Sequence, residues 1–157
     1  MGGHLTMAQS LARLWTHLIF STKDRFPFLT DTVLRREMHA YLAEMLRNQG
    51  CETLIVGGVA DHTHSLFALS RTHAIARVVK EVKRTSSGWI KEASRKLSKF
   101  HWQGGYAAFS VSQSNLANVI RYIENQEEHH RRVTFEDEYR AFLNAYGIEF
   151  DERYIWD

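Results

Sequence analysis

Two histidines one residue apart, His62 and His64, and a tyrosine and a glutamine four residues apart, Tyr122 and Gln126, are the side chains whose types and spacing point to chemistry. In the stretch VADHTHSLFAL, His62, His64, Leu66 and Ala68 alternate with Thr63, Ser65, Phe67 and Leu69, the period of a strand. Both imidazoles therefore face one way, roughly 6–7 Å apart along the chain. Neutral rings so placed can grip one divalent cation from one side. Such a pair also arises without a metal in a chain holding nine histidines, so the second stretch carries the weight. After Ser114, Leu116, Val119, Ile120 and Ile123 form an apolar stripe, and Asn115, Asn118, Tyr122 and Gln126 a polar one. On a helix Tyr122 and Gln126 are neighbours on one face. The bland alternative is an amphipathic tyrosine at the core's edge.

The four groups fit one reaction. His62, His64 and the amide oxygen of Gln126 would hold Mg²⁺ or Mn²⁺ with coordination positions left open. The cation would polarise the non-bridging oxygens of a phosphodiester. The Tyr122 hydroxyl would attack phosphorus, forming a phosphotyrosine and freeing a sugar hydroxyl. Return attack by that hydroxyl would rejoin strands without an external energy source, which separates strand transfer from hydrolysis.

The elements that must position these groups are legible in order. LWTHLIFS (residues 14–21) reads as a first strand, closed by Lys23-Asp24-Arg25 and Pro27. Thr30 or Asp31 caps a helix with apolar positions Leu34, Met38, Tyr41, Leu42, Met45 and Leu46, ended by Gly50. Thr53 to Val59 is a second strand, joined by a glycine-marked hairpin to the histidine strand. Thr72 caps a helix whose inner face is Ile75, Val78, Val79 and Val82, extended by Trp89 and Ile90. Residues 94–105 read as a loop and residues 106–111 as the fourth strand. Ser112 or Ser114 caps the tyrosine helix. Thr134, with Asp137 three residues on, opens a last helix that Gly147 closes. The order predicts an α+β, ferredoxin-like split βαβ fold: a four-stranded antiparallel sheet with helices on one face and extra C-terminal helices. The histidine strand is interior.

The 157 residues predict one domain, with 1–10 a flexible leader and 130–157 a C-terminal helix and tail. Hydrophobic content of 44% and charged content of 24% fit a globular chain. The single cysteine, Cys51, excludes an internal disulfide and a cysteine-based zinc site. No apolar run reaches the length of a membrane span and no signal peptide is visible. The reading is cytoplasmic, nucleoid-associated when bound to DNA. A net charge of +2 does not by itself argue for nucleic acid, but basic residues crowd the middle of the chain. Lys80, Lys83 and Arg84, with Lys23 and Arg25, are the candidate phosphate contacts; a solvated helix face is the alternative. Trp89, Trp102, Phe109, Phe150, Tyr154, Ile155 and Trp156 are an apolar surplus that predicts a two-fold dimer, with Phe109 and Val111 at the interface.

From LWTHLIFSTKDRFPFL through VADHTHSLF, VVKEVKRTSSGWI and FHWQGGYAAFSVS to YIENQEEHH, the chain resembles the single-tyrosine HUH transposases and their REP-associated relatives. The resemblance implies His62, His64 and Gln126 as ligands of Mg²⁺ or Mn²⁺ and Tyr122 as nucleophile. It implies nicking and rejoining of single-stranded DNA at hairpin-bearing ends through a 5′-phosphotyrosine, and a homodimer whose sites can be shared between subunits. Thr63 stands where the family has a bulkier hydrophobic residue, and Ala60 where relatives often have proline. Two alternatives stay open: a domesticated nuclease and strand transferase acting on chromosomal palindromes, and a non-catalytic binder of DNA hairpins.

Overall fold

The computed structural model describes residues 8–157; the expected leader's first seven residues lie outside them. Strands β1 (Trp15–Ser21), β2 (Glu52–Gly58), β3 (His62–Ala68) and β4 (Ala107–Ser110) form one antiparallel sheet in the order β2-β3-β1-β4. β3 is interior, as its alternation predicts. Helices α1 (Thr32–Asn48) and α2 (Ile75–Ala93) follow β1 and β3. They pack on the face carrying Leu18, Phe20 and Phe67, burying Met38, Leu42, Leu46, Val78, Val79, Val82 and Ile90. Full burial of each large apolar side chain stabilises by about 1.5–3 kcal/mol. This layer therefore fixes the register of β3, because a one-residue slip would drive His62 and His64 into it.

The opposite face presents His17, Ile19, His62, His64 and Phe109. In the pairing, Ile19 lies opposite His64 and Ser21 opposite His62. The C-terminal elements cover this face: α3 (Leu116–Glu124), α4 (Gln126–His129) and α5 (Phe135–Ala145). Phe135, Tyr139 and Leu143 of α5 are buried with Ile19, Ala107 and Phe109. Phe150, Ile155 and Trp156 of the tail pack against the same cluster.

Local signals account for both ends of α1 and of α5. Asp31 accepts from the amides of Val33 and Leu34, and Thr134 from that of Asp137. Gly50 and Gly147 take positive φ where α1 and α5 end. Three assignments are corrected. Thr72 caps nothing: α2 starts at Ile75, with Ala74 at its N-cap and no side-chain cap. Ser112 and Ser114 face each other at 3.3 Å, and a 3₁₀ turn (Gln113–Asn115) leads into α3 instead. The expected loop after α2 contains a 3₁₀ turn, Arg95–Leu97, and buries Leu97, Phe100 and Trp102.

Most of the apolar surplus is satisfied within the chain. Trp102 donates from Nε1 to Ser86 at 2.9 Å, Trp89 stacks on Tyr41, and Phe109 lies under Phe142 and Tyr146. Tyr154 stays exposed. Among the described residues no helix is long and apolar enough to cross a membrane.

Candidate active site

The histidine face of β3 and the three C-terminal helices enclose a polar cluster. His62 and His64 are wholly buried, Gln126 is 1% exposed and Glu138 3% exposed. Buried polar groups need partners, and here they find one another. Nε2 of His64 lies 2.9 Å, and Nε2 of His62 3.5 Å, from Oε1 of Glu138. Nε2 of His62 lies 3.2 Å from Oε1 of Gln126. Nε2 of His130 lies 2.9 Å from that same Gln126 oxygen and 3.1 Å from Oε2 of Glu138. The Tyr122 hydroxyl donates to Oε2 of Glu138 and sits 3.2 Å from Nε2 of His129. Tyr122, His129 and His130 keep partial exposure, so the cluster opens to solvent on their side.

The far ring nitrogens are also held. Nδ1 of His62 faces Asp61 Oδ1 at 2.7 Å, Nδ1 of His64 faces Nε2 of His17 at 2.8 Å, and Nδ1 of His130 faces the Val133 carbonyl at 2.7 Å. Such outer partners fix ring orientation and tautomer. Burial opposes charge on His62, but the Asp61 and Glu138 carboxylates outweigh it and raise its pKa to about 9. Burial dominates at His64, lowered to about 4, and at His17, lowered to about 3 with His64 beside it. Burial would raise Glu138; its bonds to His130, His62 and His64 hold it far below the carboxylate range. Burial and the Glu138 carboxylate push the Tyr122 hydroxyl up.

Of the residues singled out in the sequence, the fold brings together His62, His64, Tyr122 and Gln126. Tyr122 and Gln126 do not share one unbroken helix: α3 ends at Glu124 and α4 begins at Gln126. Their one-turn relation survives, since the Gln126 amide donates to the Tyr122 carbonyl at 3.3 Å. His17, Asp61, His129, His130 and Glu138 join the cluster, and no local sequence pattern marks these five for the site. The basic candidates lie elsewhere. Lys23, Lys80 and Arg84 are exposed, the last paired with Glu81 at 2.8 Å. Lys83 donates to the carbonyls of Gln103 and Gly105 at 2.8 and 2.6 Å, and desolvation lowers its pKa to about 8. Arg25 pairs with Glu136 at 2.8 Å and covers Trp156.

The sequence profile of the family described as "Transposase IS200 like" matches residues 10–126. The chain belongs to this family. It is therefore a transposase by family, and the match spans both histidines, Tyr122 and Gln126. It is 27% identical over 117 residues to the ISDra2 transposase TnpA of Deinococcus radiodurans, covering 71% of this chain and 83% of that one. A crystal structure of a D. radiodurans protein assigned as a transposase superposes with TM-score 0.62 at 27% identity, over 77% of this chain and 96% of the other. A REP-associated tyrosine transposase bound to a REP hairpin shares the fold, with TM-score 0.57 at 14% identity over 82% and 75% of the two chains. The four-stranded sheet with its helices is thus the fold of known family members.

The donor chemistry fits a cation. Ligand atoms of His62, His64, His130 and Glu138 all lie within 4.8 Å of one another, near the spacing that bonds of about 2.0–2.2 Å impose on groups sharing one ion.

The seating of α3 gives a direct prediction. A Cβ on Gly57 of β2 would lie 2.9 Å from Ile123 Cγ2 and 3.0 Å from its carbonyl oxygen. Gly57→Ala therefore pushes α3, and Tyr122 with it, off the sheet. The expected cost is about 1–3 kcal/mol of unfolding free energy in urea melts. Wild-type stability would mean that α3 does not seat against β2 this closely.

Proposed function

We propose that this chain nicks and rejoins single-stranded DNA at hairpin-bearing ends through a covalent 5′-phosphotyrosine on Tyr122. His62, His64 and Gln126 serve as protein ligands of Mg²⁺ or Mn²⁺, in one HUH domain extending to residue 157. The observation that carries the reading is convergence: Tyr122, Gln126 and both histidines meet around the single Glu138 carboxylate. A bound cation supplies polarisation of the non-bridging phosphate oxygens. Tyr122 supplies the attacking oxygen, and Glu138 and His129 lie in reach as acceptors of its proton. Gln126 keeps the turn after α3 tied to the Tyr122 carbonyl, so nucleophile and ligand move together. The family match and the intact quartet favour an enzyme over a passive hairpin binder. A neighbour of the same fold bound to a REP hairpin supports hairpin recognition. Incubation with Mn²⁺ and hairpin-bearing single strands tests the reading: a denaturation-resistant protein–DNA adduct is expected, and its absence across a panel of such strands contradicts it.

The DNA path follows the basic groove along α2, lined by Lys80, Arg84, Lys91, His101 and Trp102, with Lys23 and Arg25 at the end of β1. Lys83 contributes there mainly by holding the loop of Gln103 and Gly105 through its two carbonyl bonds. Each phosphate contact releases counterions. Lys80→Gln together with Arg84→Gln should flatten the slope of log affinity against log salt by about 1–2, and an unchanged slope would move the path elsewhere.

The protein acts as a homodimer, the assembly that its resemblance to the single-tyrosine transposases implies, with sites either shared between subunits or, where Tyr122 serves the Glu138 cluster of its own chain, self-contained. With self-contained sites, mixed dimers of His64→Ala and Tyr122→Phe chains should stay inactive. Recovery of adduct formation would mean a site shared between subunits.

A further inference from the structure

His130 and Glu138 lie beyond the residues that match the family profile, yet both turn their donor atoms into the site. We infer that they are metal ligands as well, so that this chain binds its cation through three imidazoles, a carboxylate and the Gln126 amide oxygen, and prefers transition metals to Mg²⁺. The inference rests on the metal-dependent reading above and extends it.

Three observations carry it. First, three rings share one design. His62, His64 and His130 each engage Nδ1 with an outer partner (Asp61, His17 and the Val133 carbonyl) and aim Nε2 at Glu138. For His62 and His130 the outer partner is an oxygen acceptor. Nδ1 is therefore engaged outward, and Nε2 is the nitrogen turned to the site. That is the arrangement of metal-bound histidines. Second, Glu138 is a carboxylate 3% exposed, with no arginine or lysine among the described residues against it. A buried charge needs compensation. Its contacts are four imidazoles (His62, His64, His129 and His130), the Tyr122 hydroxyl and the Gln126 amide, and a dication held among them supplies that compensation directly. Third, its two oxygens divide the work. Oε1 faces His62 and His64, and Oε2 faces Tyr122 and His130. A ligand so placed fixes the nucleophile beside the cation.

The composition of the set decides the metal. Mg²⁺ takes oxygen ligands and keeps several waters. Imidazole-rich sites suit iron, cobalt, nickel, copper or zinc, with affinity rising along the divalent series from manganese to copper. A site built from His62, His64 and Gln126 alone leaves that preference weaker.

The test uses the full chain without DNA, so it reads metal binding and remains interpretable whether or not a DNA adduct ever forms. Titration calorimetry with Mg²⁺, Mn²⁺ and Co²⁺ should give Co²⁺ binding at least about a hundredfold tighter than Mg²⁺. Glu138→Gln and His130→Ala should each weaken Co²⁺ at least about tenfold. Tyr122→Phe should leave it within about twofold. Equal affinity of wild type and both ligand variants would overturn the inference, as would equal affinity for Mg²⁺ and Co²⁺. Should either variant fail to fold, Co²⁺-shifted imidazole proton resonances in the wild-type protein decide the matter. Three strongly shifted rings are expected, and only two would remove His130 from the set.

Discussion

Tyr122→Phe should abolish covalent capture of DNA, lowering adduct yield by about 10³-fold or more, while the protein stays folded and still binds hairpin strands. The substitution removes one oxygen and leaves the ring. That ring packs edge-on against His17, His64 and Phe142, with centroid distances of 6.3, 5.7 and 5.8 Å, and these contacts persist in phenylalanine. Glu138 loses one donor but retains its four imidazole neighbours. The thermodynamic cost should stay near that of one hydrogen bond to a charged group, about 1.5–3 kcal/mol. Loss of chemistry with retention of fold and binding is what separates a nucleophile from an edge-of-core tyrosine. A variant that still forms adduct would place the attacking oxygen elsewhere.

His64→Ala should be as damaging to cleavage, by a different route. The imidazole is wholly buried, touches Glu138 at 2.9 Å and His17 at 2.8 Å, and its removal takes one partner from Glu138 and leaves the buried Nε2 of His17 facing a void. A buried polar network broken in this way costs about 2–4 kcal/mol. Melting temperature should therefore fall along with activity, and activity alone cannot separate a ligand from a structural residue. Chelation separates them. The apolar layer between the sheet, α1 and α2 contains none of the site residues, so excess chelator should stop cleavage without unfolding the protein. Cleavage that continues unchanged in chelator would make His62 and His64 structural.

The sequence carried the parts of the site that sit in regular local patterns. Period-two alternation put His62 and His64 on one face of β3, and the helical stripes of α1 and α2 determined which face they could not occupy. The one-turn relation of Tyr122 and Gln126 survived a helix break at Asn125 because the side chain of Gln126 bridges it. What stayed hidden depends on long-range closure. Glu138 stands 74 residues from His64, in a stretch (FEDEY) where three acidic residues suit a helix N-terminus without further purpose. His17 meets His64 across 47 residues and looks like a polar interruption of an apolar strand. His130 is one of an adjacent pair, and no spacing rule distinguishes its inward-facing ring. Lys83 stood among phosphate contacts on charge alone; nothing local announced the two carbonyls that hold it. The aromatic surplus that suggested a partner chain is taken up on both faces of the sheet: Trp89 and Trp102 pack with α1 and α2, and Phe109, Phe150, Ile155 and Trp156 with α5 on the opposite face.

The central claim is a covalent bond between Tyr122 and DNA. Tryptic cleavage after Arg121 and Arg131 releases a peptide, YIENQEEHHR, in which Tyr122 is the sole tyrosine. Wild-type protein incubated with Mn²⁺ and a hairpin-bearing single strand, then digested with nuclease and trypsin, should yield this peptide carrying a nucleotide phosphate on the tyrosine oxygen, detected by mass spectrometry. The matching strand should end in a free 3′-hydroxyl. Cleaved DNA with 5′ ends free of protein, or a nucleotide recovered on any other peptide, would contradict the account.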